Sequence, residues 1–168
     1  RASTLEELAL LGIDLLEKKK PEGQKSQFQA GESQGTIKGL YTGGTLASEA
    51  AILIERALGY EEELENKAGF MLNHDGFQVI DLGDDEYTKG KPHPMIDPTA
   101  RLPYIKKAAE DQDTKVILLD VVIGYGANED PAGTLVDIIE ELKKKRPDIE
   151  VVTTICGTKE DTQGINDQ

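Results

Sequence analysis

Apolar and polar positions change period several times along this chain. Leu5, Leu8, Leu11 and Leu15 recur at helical spacing, with Leu16 beside them, and predict an amphipathic helix over residues 4–18. From Glu17 to Gly35 the chain is polar and glycine-bearing, which predicts a linker. Residues 1–35 are therefore expected to be an appendage, and 36–168 the domain proper. In that domain, "IKGLYT" reads as a strand, and residues 45–58 as a helix with Leu46, Ala50, Leu53 and Ala57 on its buried face. "FQVIDLG" at 77–83 is the second strand, followed by a polar stretch with four prolines and a helix over Leu102–Glu110. "KVILLDV" at 115–121 is almost wholly apolar, as in a parallel strand covered on both faces. A helix should follow Pro131, carrying Leu135, Ile138, Ile139 and Leu142 and stopping before Pro147. "IEVVTTIC" at 149–156 is the fourth strand.

Strands alternating with helices predict an α/β fold: a flavodoxin-like open parallel sheet with helices on both faces, in strand order 2-1-3-4. The last helix and strand of such a unit are expected to be missing or truncated. The tail "KEDTQGINDQ" and the first residue, Arg1, suggest a piece of something longer.

Candidate chemistry collects at the carboxyl ends of the strands, where α/β sheets bind ligands. "GLYTGG" at 39–44 ends the first strand in Gly43 and Gly44, and a helix pattern begins at once. A helix tip there points unpaired N–H groups and a positive dipole end into the crevice. Glycine lets an anion approach, and Thr45 adds a hydroxyl that caps the helix or holds an oxygen. The expectation is an anion site at Gly43, Gly44, Thr45 and Leu46, with Gly124, Gly126, Gly157 and Thr158 nearby. The competing reading is a tight turn without a ligand. Neither the P-loop nor the dinucleotide fingerprint is present.

The other side chains each carry two readings. Asp81, Asp84, Asp85, Asp97 and Asp120 could gather around Mg²⁺, with Asp84 and Asp120 the candidate ligands, or serve as caps and solvated acids. His93 lies between Pro92 and Pro94, stiffly held, and is an acid–base candidate or a surface histidine. Asp97 and Arg101 are further catalytic candidates; Asp97 precedes Pro98 as an N-cap would, and Arg101 meets an anion or a nearby acid. His74 falls at the amino end of its strand, away from the chemistry. Cys156 is expected to be a buried, inert thiol. Tyr41 and Tyr125 are available to a flavin, but the loops lack the composition a flavin phosphate needs.

Charge narrows the partners. In 168 residues there are 19 basic and 32 acidic side chains, a net charge of −13, which opposes nucleic-acid binding. An anion would have to be held mainly by backbone N–H groups. No run of 18 apolar residues predicts a membrane span, and no signal peptide is read at the start. The lone cysteine excludes an internal disulfide and suits a cytoplasmic setting.

The segments "GLYTGGTLASEA", "DLGDDEYTKGKPHPMIDPTAR", "VILLDVVIGYGANEDPAG" and "TTICGTKEDTQG" closely resemble the FdrA proteins, relatives of the succinyl-CoA synthetase (acyl-CoA ligase) superfamily. The resemblance covers residues 36–164 and is to the flavodoxin-like ligase-CoA domain. It implies that Gly43, Gly44, Thr45 and Leu46 match the start of a helix that, in the synthetases, helps hold a phosphohistidine's phosphate. It also implies that "DVVIGYGANEDPAG" is a glycine-rich turn at the same interface. The Gly-His-Ala-Gly setting of the phosphorylated histidine does not occur here, and His93 belongs to "HPMIDP" instead. The resemblance also implies acyl-CoA synthetase or carbamoyl-transfer chemistry in a parent protein, with CoA and Mg²⁺ as cofactors there. A phosphate or acyl-phosphate would be the ligand and nothing would be tightly bound. Partners would be the parent's other domains, a partner subunit or a second copy. The piece alone is expected to be inactive. The rival expectation is a non-catalytic interaction module using the same rim.

Overall fold

A computed structural model describes residues 35–60 and 67–168. The anticipated leading helix and nearly all of the linker lie outside the described residues. Five strands and the helices between them form one sheet with two covered faces. In chain order they are β1 (Thr36–Tyr41), α1 (Gly44–Leu58), β2 (Phe70–His74), β3 (Phe77–Asp81), the short α2 (Asp85–Thr88), a 3₁₀ turn (Pro98–Arg101), α3 (Leu102–Glu110), β4 (Thr114–Val122), α4 (Gly133–Lys145) and β5 (Glu150–Cys156).

The sheet order is β2-β3-β1-β4-β5. β1 pairs parallel with β3 and β4, and β4 pairs parallel with β5. β2 runs antiparallel to β3, so the sheet is mixed where the sequence pattern predicts a purely parallel one. The missed strand is the first arm of a hairpin. Asp75 and Gly76 both have positive φ, 48° and 83°, the backbone of a two-residue type I′ turn.

Strand alternation divides the core. Tyr41, Leu72 and Val79 face α1, whereas Leu40, Ile80, Ile117 and Leu119 face α3 and α4. The buried residues of α1 are Ala47, Ala51 and Ile54, one position on from the anticipated Leu46, Ala50, Leu53 and Ala57; Leu53 is 50% exposed. The small alanines let the helix lie close on the sheet, and the bulkier neighbours flank that contact. α4 starts at Gly133, two residues beyond Pro131. The tail from Gly157 forms turns and returns to the body, where the Gln168 side chain accepts from the Ala132 amide at the start of α4. One charged group lies deep in β1. Lys38, 6% exposed, pairs with Asp111 at 2.9 Å and donates to the Gly76 carbonyl. Among the described residues no helix is long and apolar enough to cross a membrane.

Leu72 is fully buried although its strand is short and at the sheet edge. Leu72→Ala should cost about 2–4 kcal/mol, and Leu53→Ala less than about 1 kcal/mol, in urea unfolding. Equal costs would contradict the observed orientation of α1.

Candidate functional site

The carboxyl ends of β1, β3, β4 and β5 lie along one edge of the sheet, as parallel pairing requires. At the end of β1, Gly43 is the N-cap of α1, with extended backbone (φ −162°) that any residue adopts. Its glycine character is about space: a Cβ there would meet nothing within 4 Å. Gly44 is different. A Cβ on Gly44 would sit 3.0 Å from Asp81 Oδ2, so an acid from β3 lies against the helix tip. Thr45 is exposed and does not cap the helix, contrary to one of its two anticipated uses. The first intrahelical bond to this turn runs from the Ala47 amide to the Gly43 carbonyl. No side chain among the described residues accepts from the Gly44, Thr45 or Leu46 amides.

Asp81 and His93 complete this corner. Asp81, 9% exposed, accepts from the Gly83 amide through Oδ1 at 2.8 Å. Burial pushes its carboxyl above the ordinary value, and the fields of Asp84 and Asp120 add to that; the Gly83 hydrogen bond and His93 oppose it. His93 Nδ1 accepts from the Met95 amide at 3.2 Å, which leaves the proton of the neutral ring on Nε2. That Nε2 packs on Gly83. A Cβ on Gly83 would be 2.5 Å from His93 Nε2 and equally close to the Thr42 carbonyl, so only glycine fits between them. Thr42, Gly44, Asp81, Gly83 and His93 therefore converge, and the sequence signals for it were the glycine at 83 and the paired prolines.

Arg101 and Asp120 are both 1% exposed and engage each other. Arg101 Nη1 donates to Asp120 Oδ1 at 3.0 Å and to the Asp120 carbonyl at 2.8 Å. The same carboxylate accepts from the Thr42 amide at 2.9 Å and from the Thr42 hydroxyl at 2.7 Å. Of the two anticipated partners for Arg101, an anion or an acid, the structure supplies the acid. Arg101 Nε is buried without a partner, and burial lowers the guanidinium's pKa against the raising effect of Asp120. Asp120 is thus a structural acceptor in this arrangement. Asp84 caps α2 through the Glu86 amide, and Asp97 caps the 3₁₀ turn through the Thr99 amide and hydroxyl. Among the described residues no group of three or more His, Cys, Asp or Glu is placed to hold a metal ion.

The β4–β5 end of the rim is covered by the tail. Gln163 donates to the Gly124 and Asn128 carbonyls and accepts from the Gly124 amide. Asp161 accepts from the Thr158 amide and hydroxyl, and Ile123 packs where a side chain on Gly157 would go. Gly126 is open, and Tyr125 beside it is fully exposed. So Gly124, Gly157 and Thr158 share the edge with Gly43 and Gly44, but the polar groups of Gly124 and Thr158 already have internal partners. Cys156 is exposed, against the expectation of a buried thiol, because the face of β5 that carries it has no covering helix among the described residues. His74 lies at the opposite edge, paired with Asp75 and edge-on to Tyr60.

Removing one partner of the buried pair leaves an uncompensated charge. Arg101→Ala should destabilise the domain by about 3–5 kcal/mol in chemical denaturation, and Arg101→Met by less. An Arg101→Ala cost under about 1 kcal/mol would show that the pair is not buried in solution.

Two comparisons with known proteins bear on this geometry. The family model described as CoA-ligase matches residues 40–168, which include the helix tip, the histidine segment and the covered rim. The chain is also 33% identical over 144 residues to the uncharacterized protein YahF of Escherichia coli (strain K12); the match takes in 80% of this chain and 28% of that relative. The chain thus spans less than a third of that relative's length, and it belongs to the CoA-ligase family.

Proposed function

We propose that this domain contributes an anion-binding helix tip, Gly43 to Leu46, to the active site of a longer FdrA-like protein. The ligand is a phosphate or acyl-phosphate group, and the parent's chemistry is acyl-CoA synthesis or carbamoyl transfer. One observation carries the reading: three successive first-turn amides of α1 have no acceptor at the ligand-bearing edge of the sheet, and nothing lies where a Gly43 side chain would be. Those N–H groups and the dipole of a 15-residue helix favour an anion by about 1–2 kcal/mol, with hydrogen bonds added. Their role is electrostatic: fixed donors face a group whose charge grows during reaction. His93 lies at the same corner, with its Nε2 packed on Gly83. Another domain of the parent, a partner subunit or a second copy supplies the reacting residues; CoA and Mg²⁺ are reserved for that larger assembly.

Asp81 is the counterweight. Its ionised carboxylate repels an incoming anion, and burial pushes its pKa above the ordinary value. A second reading is a non-catalytic interaction module using the same rim, where Tyr125 stands fully exposed.

Sulfate binding, and its response to variants at the corner, separates these readings. Sulfate, which does not titrate in this range, should move the Gly44, Thr45 and Leu46 amide signals at millimolar concentration; signals that stay fixed would defeat the anion reading. Asp81→Asn should tighten sulfate binding at pH 7.5 by roughly threefold to tenfold, by removing one nearby negative charge. Folding stability has the same sign: a raised carboxyl pKa favours the fold at low pH, and that contribution is lost as pH rises through it. Asp81→Asn should therefore flatten this part of the pH–stability curve. Gly44→Asp should abolish sulfate binding; a variant that lost only association with a partner, while sulfate still bound, would support the interaction module.

A further inference from the structure

A second recess lies on the other side of the β3 terminus. Alternation along the chain sends Asp81 and Gly83 towards the helix tip, while Leu82, 3% exposed, joins the core on the α3 side. There the proline-rich segment folds over the end of the sheet and leaves a cleft of about 250 Å³. Leu82, Tyr87, Pro94, Pro103 and Tyr104 line it, and Lys91 is the one charged residue in its wall. Pro92 and Pro94 both face the cleft, whereas His93 between them turns its imidazole to Gly83. This tripeptide is a partition with the cleft on one side and the helix tip on the other.

The cleft's walls are assembled by long-range packing. Tyr87 and Tyr104 meet edge to face, with centroids 5.7 Å apart and planes at 87°. Gly69 makes room for them: its φ is +79°, and any side chain there would run into the Tyr87 ring. Neither tyrosine hydroxyl donates to another described residue. Burial, then Tyr104, raises the Tyr87 pKa, so its hydroxyl keeps its proton at neutral pH.

We propose that this cleft binds a small aromatic carboxylate. The flat body lies against the tyrosine and proline walls, and the carboxylate meets Lys91. The volume is below that of drug-sized sites, which suits a ligand on the order of ten heavy atoms. Charge selects the sign. The chain carries −13 overall, yet the cleft presents a lysine and no acid. This site is separate from the helix tip and stands whether or not an anion binds there.

The test uses the whole chain, with the ring signals of Tyr87 and Tyr104 assigned by Tyr→Phe variants. Benzoate should shift both rings with millimolar affinity, and benzyl alcohol should do so several-fold more weakly. Lys91→Gln should weaken benzoate by roughly threefold to tenfold and leave benzyl alcohol unchanged. Sulfate should move the Gly44 amide and leave the rings alone, which keeps the two sites distinguishable. Ring signals unmoved by about 20 mM benzoate would overturn the site. Equal binding of benzoate and benzyl alcohol, or no effect of Lys91→Gln, would overturn the carboxylate assignment.

Discussion

One carboxylate holds this architecture in register. Asp120 stands in β4, accepts from the backbone and hydroxyl of Thr42 just past β1, and receives Arg101 from the turn that precedes α3. Three segments far apart in sequence meet at one buried group. Such an arrangement is weak evidence for net stability, because two charges have been taken from water to make it. Its consequence is positional. Thr42 is the residue before Gly43, so the hydrogen bonds to Asp120 fix where the chain stands as α1 begins. The partnered Thr42 amide and the unpartnered amides of Gly44 to Leu46 are then set by one constraint. An apolar trio of equal volume could fill the space, but it could not dictate the direction of that backbone.

The same corner carries a conflict of charge. A helix tip invites an anion, and an acidic side chain lies against its first glycine. Asp81 does not cap the helix: the hydrogen bond to its carboxylate comes from the Gly83 amide. It is close enough to be felt and does not use the donors. Under the helix-tip proposal, the charge of Asp81 sets how readily an anion enters.

Much of the fold was legible because it is local. Apolar runs placed β1, β3, β4 and β5, and helical spacing placed α1, α3 and α4 within a few residues. β2 escaped although its signal was present: "HDGF" carries the Asp-Gly of a type I′ hairpin, but the strand it starts from has only three apolar residues. The face of α1 was shifted by one because leucines outweigh alanines in any hydrophobic pattern, while close packing on a sheet prefers the smaller residue. The site was less legible for a different reason. Arg101 and Asp120 are 19 residues apart, Thr42 and Asp120 are 78 apart, and no periodicity relates them. Lys38 sits in an apolar run and looks misplaced until Asp111 and the hairpin carbonyl are seen around it.

The glycines show how one residue type answers different demands. Gly76 is needed for its left-handed backbone, Gly44 and Gly83 for the closeness of Asp81 and His93, and Gly43 for neither. A glycine in extended backbone with empty space beside it is not explained by the folded chain as it stands. That position is open to something that approaches Gly43 from outside. A packing partner and a bound anion both meet that condition. The helix-tip proposal gives that opening a use, since an anion there would also meet the three amides that follow.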